Sequence, residues 1–253
     1  TEVVSATVIK IAGPTGLVTE AGTGTSYKRL DKLVIGNIKK SFSMEKTFTD
    51  LTDKAIVYKG MIVGSMDINV AFGELITGSL GFMGNYNDPV DVAADFITFG
   101  QTINAPASSQ TFNGSIDMPF IFSGAIGTFG DPSGFSIKNI GLKMDNNLSP
   151  QNVIGRVAAR DYTTGTCKID VDLSAYLDDD SWDILPKKLT QEPFEVGFLV
   201  KNLDGMYGFY IPALQVSFDD PASPGQNQDV MLSTKGMAKV GPNGESALTI
   251  FRG

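Results

Sequence analysis

The sequence has no histidine and one cysteine, Cys167. Without histidine the commonest general base and metal ligand are missing, so Ser–His and Cys–His nucleophilic chemistry is excluded. One thiol forms neither an internal disulfide nor a Cys-based zinc site, which fits synthesis in a reducing compartment. Cys167 is expected as a small buried residue. Cations are scarce: 20 Lys and Arg stand against 28 Asp and Glu, a net charge of −8. That balance opposes any grip on a phosphate backbone, which takes clustered Lys and Arg. Trp182 is the sole tryptophan, so a sugar-stacking platform would rest on tyrosines, and core packing is the expected role of Trp182. No apolar run approaches the roughly 18 residues needed to cross a bilayer. The chain opens at Thr1 with neither a charged n-region nor an apolar h-region, as expected of a cytosolic product without a signal peptide.

The carboxylates are the remaining candidates for chemistry. A pair of them could hydrolyse glycosides, and Asp178-Asp179-Asp180 with Asp183 is the densest group. Adjacent carboxylates of this kind are read as a solvated turn. A weak divalent-cation site is the lesser alternative, because the glycine and terminal glutamate of a calcium loop are absent. Gly22-Thr23-Gly24-Thr25-Ser26 lacks the Lys-Ser/Thr pair of a phosphate loop. The sequence therefore assigns no catalytic residue, no cofactor and no metal ligand.

What is present is β-sheet material: 28 Gly and 12 Pro with aromatic and β-branched residues throughout. The most informative stretch is Phe194 to Phe218. Phe194, Val196, Phe198 and Val200 alternate with polar or small residues, the period of two that buries one strand face. Asn202-Leu203-Asp204-Gly205 allows the chain to reverse. In the return arm the apolar parity changes at Pro212, from Tyr207, Phe209 and Ile211 to Leu214, Val216 and Phe218. A proline there implies a bulge or an edge position.

Elsewhere the pattern predicts a strand at 3–9, an arm or loop at 12–27, strands over 33–48, 56–72, 74–84 and 115–122, and further strands through 134–148 and 152–179. Asp88-Pro89 reads as the N-cap and first turn of a short helix over 88–96. Residues 181–186 read as one helical turn. Gly-, Ser- and Pro-rich segments place a boundary within 123–134, dividing the chain into two β-domains, 1–130 with its N-terminal arm and 131–253. The order of element types in 66–84 recurs in 140–177, which points to an internal repeat.

Several segments of the second half, DNNL (145–148), GTCKIDVDL (165–173), PFEVGFLV (193–200), GMYGFYIPALQVSF (205–218), PGQNQDVML (224–232) and ALTIFR (247–252), resemble in order and wording the major tail tube proteins of long-tailed bacteriophages. The first half resembles them chiefly through residues 60–84. The resemblance implies a mainly β, tail-tube-type sandwich or barrel, here two similar β-domains with one or two short helices. It implies a structural subunit of the virion tail, made in the host bacterial cytoplasm. Its rings would stack around a channel that conducts DNA without specific binding. Two fused domains would give a trimeric, pseudo-hexameric ring; one domain per subunit would give a hexamer. Implied partners are further copies of the chain and other tail proteins such as the tape measure, tail tip and terminator, with no membrane.

Arms at 12–27, 43–59 and 219–230 are expected to reach neighbouring subunits. Candidate contact residues are Met44, Glu45, Lys46, Phe48, Leu51, Asp53, Lys54, Asp219, Asp220, Gln226 and Gln228. The channel-lining residues are not assigned, although the acidic balance implies an acidic wall. The competing functions are a β-sandwich adhesin or particle-decoration protein, which needs an exposed recognition patch, and a carboxylate-dependent hydrolase.

Overall fold

The computed structural model describes residues 2–5, 8–13, 16–21, 31–36, 38–48, 50–51, 54–84, 86–91, 112–114, 119–122, 125–128, 136–182, 185–202, 205–218, 221, 225–226 and 228–253. Residues 1–31 form a compact unit apart from the body at 32–252. That unit is an antiparallel meander of β1 (Glu2–Ser5), β2 (Val8–Gly13) and β3 (Gly16–Ala21). The strand expected at 3–9 is divided between β1 and β2, and part of the expected arm at 12–27 is β3. Val8, Ile9 and Ile11 pair with Ala21, Glu20 and Val18 across a two-residue connection at 14–15, too short to leave a loose arm there.

The body begins with β4 (Asp31–Val34), β5 (Phe42–Phe48), β6 (Lys54–Ala71), β7 (Thr77–Met83), β8 (Tyr86–Asp91), β9 (Pro119–Phe122) and β10 (Ala125–Thr128). It continues with β11 (Ile137–Asp145), β12 (Leu148–Gln151), β13 (Asp161–Thr164), β14 (Lys168–Tyr176), α1 (Asp179–Trp182) and α2 (Leu185–Thr190). It closes with β15 (Phe194–Lys201), β16 (Met206–Phe218), β17 (Met231–Lys239) and β18 (Thr249–Arg252). One sheet runs β10-β9-β15-β16-β17-β14-β11-β6-β5; β18 also pairs with β16 and β4, and β7 and β8 pair with β6. The fold is mainly β with antiparallel sheets, as the tube-type sandwich expectation required.

The alternation seen in sequence is the alternation of burial. Val196, Phe198 and Val200 are buried from β15, Ile169, Val171, Leu173 and Ala175 from β14, and Ile140 and Leu142 from β11. These residues join one core with Ile211, Leu214, Val216, Leu232 and Leu248. Each such side chain contributes roughly 1.5–3 kcal/mol on leaving water.

The parity change at Pro212 is a bulge. Val196 pairs with Ile211 but Phe194 pairs with Leu214, so β16 carries one extra residue at this point. On its other edge β16 changes neighbour at the same place: 207–210 pair with β18 and 213–218 with β17. Pro212, which has no N–H to give, stands between the two ladders. At the far end Asn202 caps the reversal, its Oδ1 accepting from the Gly205 N–H at 2.9 Å.

Some local expectations fail; among them, residues 152–160, expected as strand, form a loop between β12 and β13. Residues 86–91 are strand, not the start of a helix. Ile62 pairs with Met83 and Lys59 with Tyr86, so β7 and β8 run as a single line along β6, and this long ladder overrides the local Asp88-Pro89 signal. Pro89 is tolerated because β6 is the only partner of β8 among the described residues. Residues 92–96 lie outside the described set. Trp182 is 59% exposed rather than in the core. It closes α1, a four-residue turn held by Ser181 and Asp178, whose N–H groups each bond to the other's side-chain oxygen at 2.8 Å. So short a turn presents only one side inward, and the buried Ser181 occupies it.

Candidate assembly surfaces

The strand β6 is long enough to belong to two environments. Its second part, 65–71, pairs with β11 and packs on the core; its first part, 54–61, lies between β5 and β8. Only Ala55 and Val57 are buried in that first part. The three strands β5, β6 and β8 thus form a flap continuous with the body, built on the segment expected as an arm at 43–59. Residues 43–48 and 54–59 of that segment are paired strand, not a loose arm, with Ala55 and Val57 buried and most of the others half-buried or exposed.

The candidate contact residues fall on this flap and on one surface loop. Met44, Glu45 and Phe48 are half-buried on β5, and Lys46 is exposed with its Nζ 5.3 Å from the Phe48 ring centre. Glu45 Oε1 is buried and has no hydrogen-bond partner among the described residues. Leu51 is exposed at the flap's turn, and Lys54 begins β6 opposite Phe48 and Asp91. Gln226 and Gln228 are exposed before β17. Asp53, Asp219 and Asp220 lie outside the described residues.

A second surface is the outward face of the sheet. Because Ile140, Leu142, Val171 and Leu173 point inward, their neighbours point out, and the register sets Lys143 between Asp67 and Asp170, Asp145 opposite Lys168, and Asp172 opposite Lys235. Opposite charges directly across strands stabilise the pairing. Asn69, Asn139, Ser174, Ser233, Gln215 and Ser217 share this face with Gly141 and the exposed Met237. It carries four carboxylates and three lysines in its central rows, so it is polar and nearly balanced.

A third surface went unnoticed in the sequence. Between β12 and β13 the chain projects as a loop, 152–160, whose Ile154 and Val157 are wholly exposed. The signal available was Gly155 inside an apolar run, and its φ of 85° does make the turn.

Titration marks few positions. Cys167 is half-buried against the core, and burial, with Asp145 nearby, pushes its thiol up. Burial also raises the Tyr210 hydroxyl, which donates to Glu195. Asp161 is lowered by its hydrogen bond from Lys39. No group of three or more acidic or Cys side chains able to hold a metal ion occurs among the described residues. Among the described residues no helix is long and apolar enough to cross a membrane.

The model of the phage tail tube protein family matches residues 4–238. That family is structural and not enzymatic, and the antiparallel fold above is of the same class. The chain belongs to the phage tail tube protein family. No curated protein matches it.

Proposed function

We propose that the chain is the major tail tube subunit of a phage, closing into rings that stack around a channel through which DNA leaves the virion. The observation that carries this reading is the two-sidedness of the sheet in a member of the tail tube family: one face forms the core, and the other is a broad polar field on β6, β7, β11, β14, β16 and β17. On this reading the polar field is the channel wall. Its Lys–Asp rows leave little net charge: each lysine stands in register with an aspartate, and Lys168 Nζ bonds Asp170 on its own strand at 2.8 Å, so a passing phosphate backbone meets no unbroken cationic stripe. The wall is balanced rather than strongly acidic, and the chain's excess negative charge lies elsewhere.

On this reading the chain carries two similar domains, 1–130 and 131–253, whose strands meet in one sheet where β6 pairs with β11 and again where β9 pairs with β15. Three chains would make a pseudo-six-membered ring, with six chains as the alternative. Strand edges that have no further partner among the described residues, among them β10 and the β7–β8 line, supply pairing surfaces for neighbours. The flap, with Met44, Glu45, Lys46, Phe48, Leu51 and Lys54, reaches the adjoining subunit or ring. Gln226 and Gln228, with Asp53, Asp219 and Asp220, extend the same contacts. The tape measure, tail tip and terminator are further partners, and synthesis is in the host cytoplasm.

Electron microscopy of concentrated purified protein tests this: stacked rings with an axial channel are expected, and dispersed monomers would overturn it. Native mass spectrometry of single rings decides between three and six copies. A reconstructed channel with a net positive wall would defeat the wall assignment.

A further inference from the structure

We propose that the 152–160 loop is a docking finger that seats on Asp179, Trp182, Leu189 and Glu192 of a second copy of this chain. The inference rests on the tube reading and adds the particular contact.

The base of the finger is fixed with unusual care for a surface loop. Leu148 to Gln151 pair with Asp161 to Thr164. The Arg160 N–H donates to Gln151 O at 2.8 Å, and the Tyr162 hydroxyl, from a buried ring, donates to Gly84 O at 2.5 Å. Lys39 donates both to Asp161 Oδ1, at 2.9 Å, and to Tyr162 O, at 2.5 Å. These contacts tie the finger to strand β7 and to the chain before β5. The tip they support packs on nothing: Ile154 is 106% exposed and Val157 110%. Exposed loop tips are normally small or polar, so a braced tip with two bare aliphatic side chains is shaped for burial elsewhere.

Charge identifies the occupant. Arg156 and Arg160 are the only ionisable residues in 152–160, in a chain of net charge −8. On the seat Asp179 and Glu192 present exposed carboxylates. The seat also exposes Trp182 at 59% and Leu189 at 84%. Arginine against tryptophan and acid, with aliphatic groups between, is the composition of a binding hot spot. Finger and seat are different patches of one chain, so their contact is heterologous, the kind that closes rings or propagates stacks.

Sedimentation and electron microscopy of charge variants test the docking. Arg156→Glu with Arg160→Glu, and separately Asp179→Arg with Glu192→Arg, should each raise the concentration for half-assembly at least about 10-fold. Combining all four should recover assembly. Ile154→Asp with Val157→Asp should also block assembly while leaving the melting temperature of the subunit unchanged; a lowered melting temperature would show that the tip packs within its own subunit and would overturn the proposal. Assembly of the Arg156→Glu, Arg160→Glu variant at the wild-type concentration, or no recovery in the four-site combination, would overturn the docking while wild-type tubes keep the tube reading. Wild-type chains that never associate would end both.

Discussion

The two longest hairpins of this chain are built on the same alternation and put to opposite ends. In β15–β16 nearly every inward position is sealed: Val196 and Ile211 are 1% exposed, and Leu214 is 1% exposed. In the hairpin of β6 with β7 and β8, the 18-residue strand β6 buries only Ala55, Val57, Ile62 and Val70. Phe72, Leu75 and Leu80, at its turn and on β7, lie open, and Gly73 makes the turn at a φ of 75°. A hairpin that closes a core holds one subunit together. One that leaves its apolar groups outside is finished only by a neighbour, which is why stability and assembly should separate between them.

The largest test of that separation is Leu214→Ala. Leu214 sits at the Pro212 bulge, where Ala238 is its cross-strand partner and β15 closes the other side. A cavity there should cost about 3–4 kcal/mol of unfolding free energy, read by denaturant titration of the unassembled subunit. Val57→Ala removes a side chain that is just as buried, 4% exposed, but outside the main core cluster. It should cost less, about 1–2 kcal/mol, and should impair assembly more than its stability loss accounts for. Equal losses at the two sites would break the comparison, because the flap would then share the core's cooperativity.

Which of these features could be seen in the sequence follows from how far each interaction reaches along the chain. The burial of β15, the reversal at Asn202–Gly205 and the bulge at Pro212 were legible, since each is written in neighbouring residues. The strand expected at 56–72 is β6 almost to the residue. Residues 86–91 were misread because Asp88-Pro89 is a sound local helix start, and what overrides it is a ladder to residues 54–59, some thirty positions away. Residues 44–48 were read both as strand and as part of a polar arm at 43–59; the strand reading holds, but the partners of β5, β6 and β8 in the sheet were not visible. Trp182 and the 152–160 tip failed for a common reason. Tryptophan, isoleucine and valine read as core by type, and only the placement of the elements around them shows that nothing covers them.

Tyr162→Phe sharpens the comparison on a smaller scale, because at the finger's base a short peripheral hairpin is anchored to the open strand line. The hydroxyl donates to Gly84 O between β7 and β8, and losing it leaves that carbonyl to water or unpaired. The expected loss is about 1 kcal/mol in the same titration. Assembly should weaken with it, since the finger is then less firmly aimed. A variant with full stability and full assembly would show that the anchor is incidental.

The smallest effect is a pH dependence at the same base. The hydrogen bond from Lys39, with a further one from the Tyr162 N–H, holds the Asp161 carboxyl below its ordinary range. A carboxylate with a depressed folded value adds stability above its unfolded pKa, about 3.9, and loses that contribution as pH falls through the folded value. Both partners are partly exposed, at 33% and 52%, so screening keeps the effect small and salt weakens it. Wild type and Asp161→Asn should therefore differ in melting temperature at pH 7, and the gap should close below about pH 4. A gap that stays constant down to pH 3 would mean that the asparagine disturbs the hairpin by shape and that the Lys39–Asp161 charge pair contributes nothing to holding the finger. A gap that closes assigns the hold to charge, and the finger should then lose its bracing in acid while the β15–β16 core, which has no such pair, is unaffected.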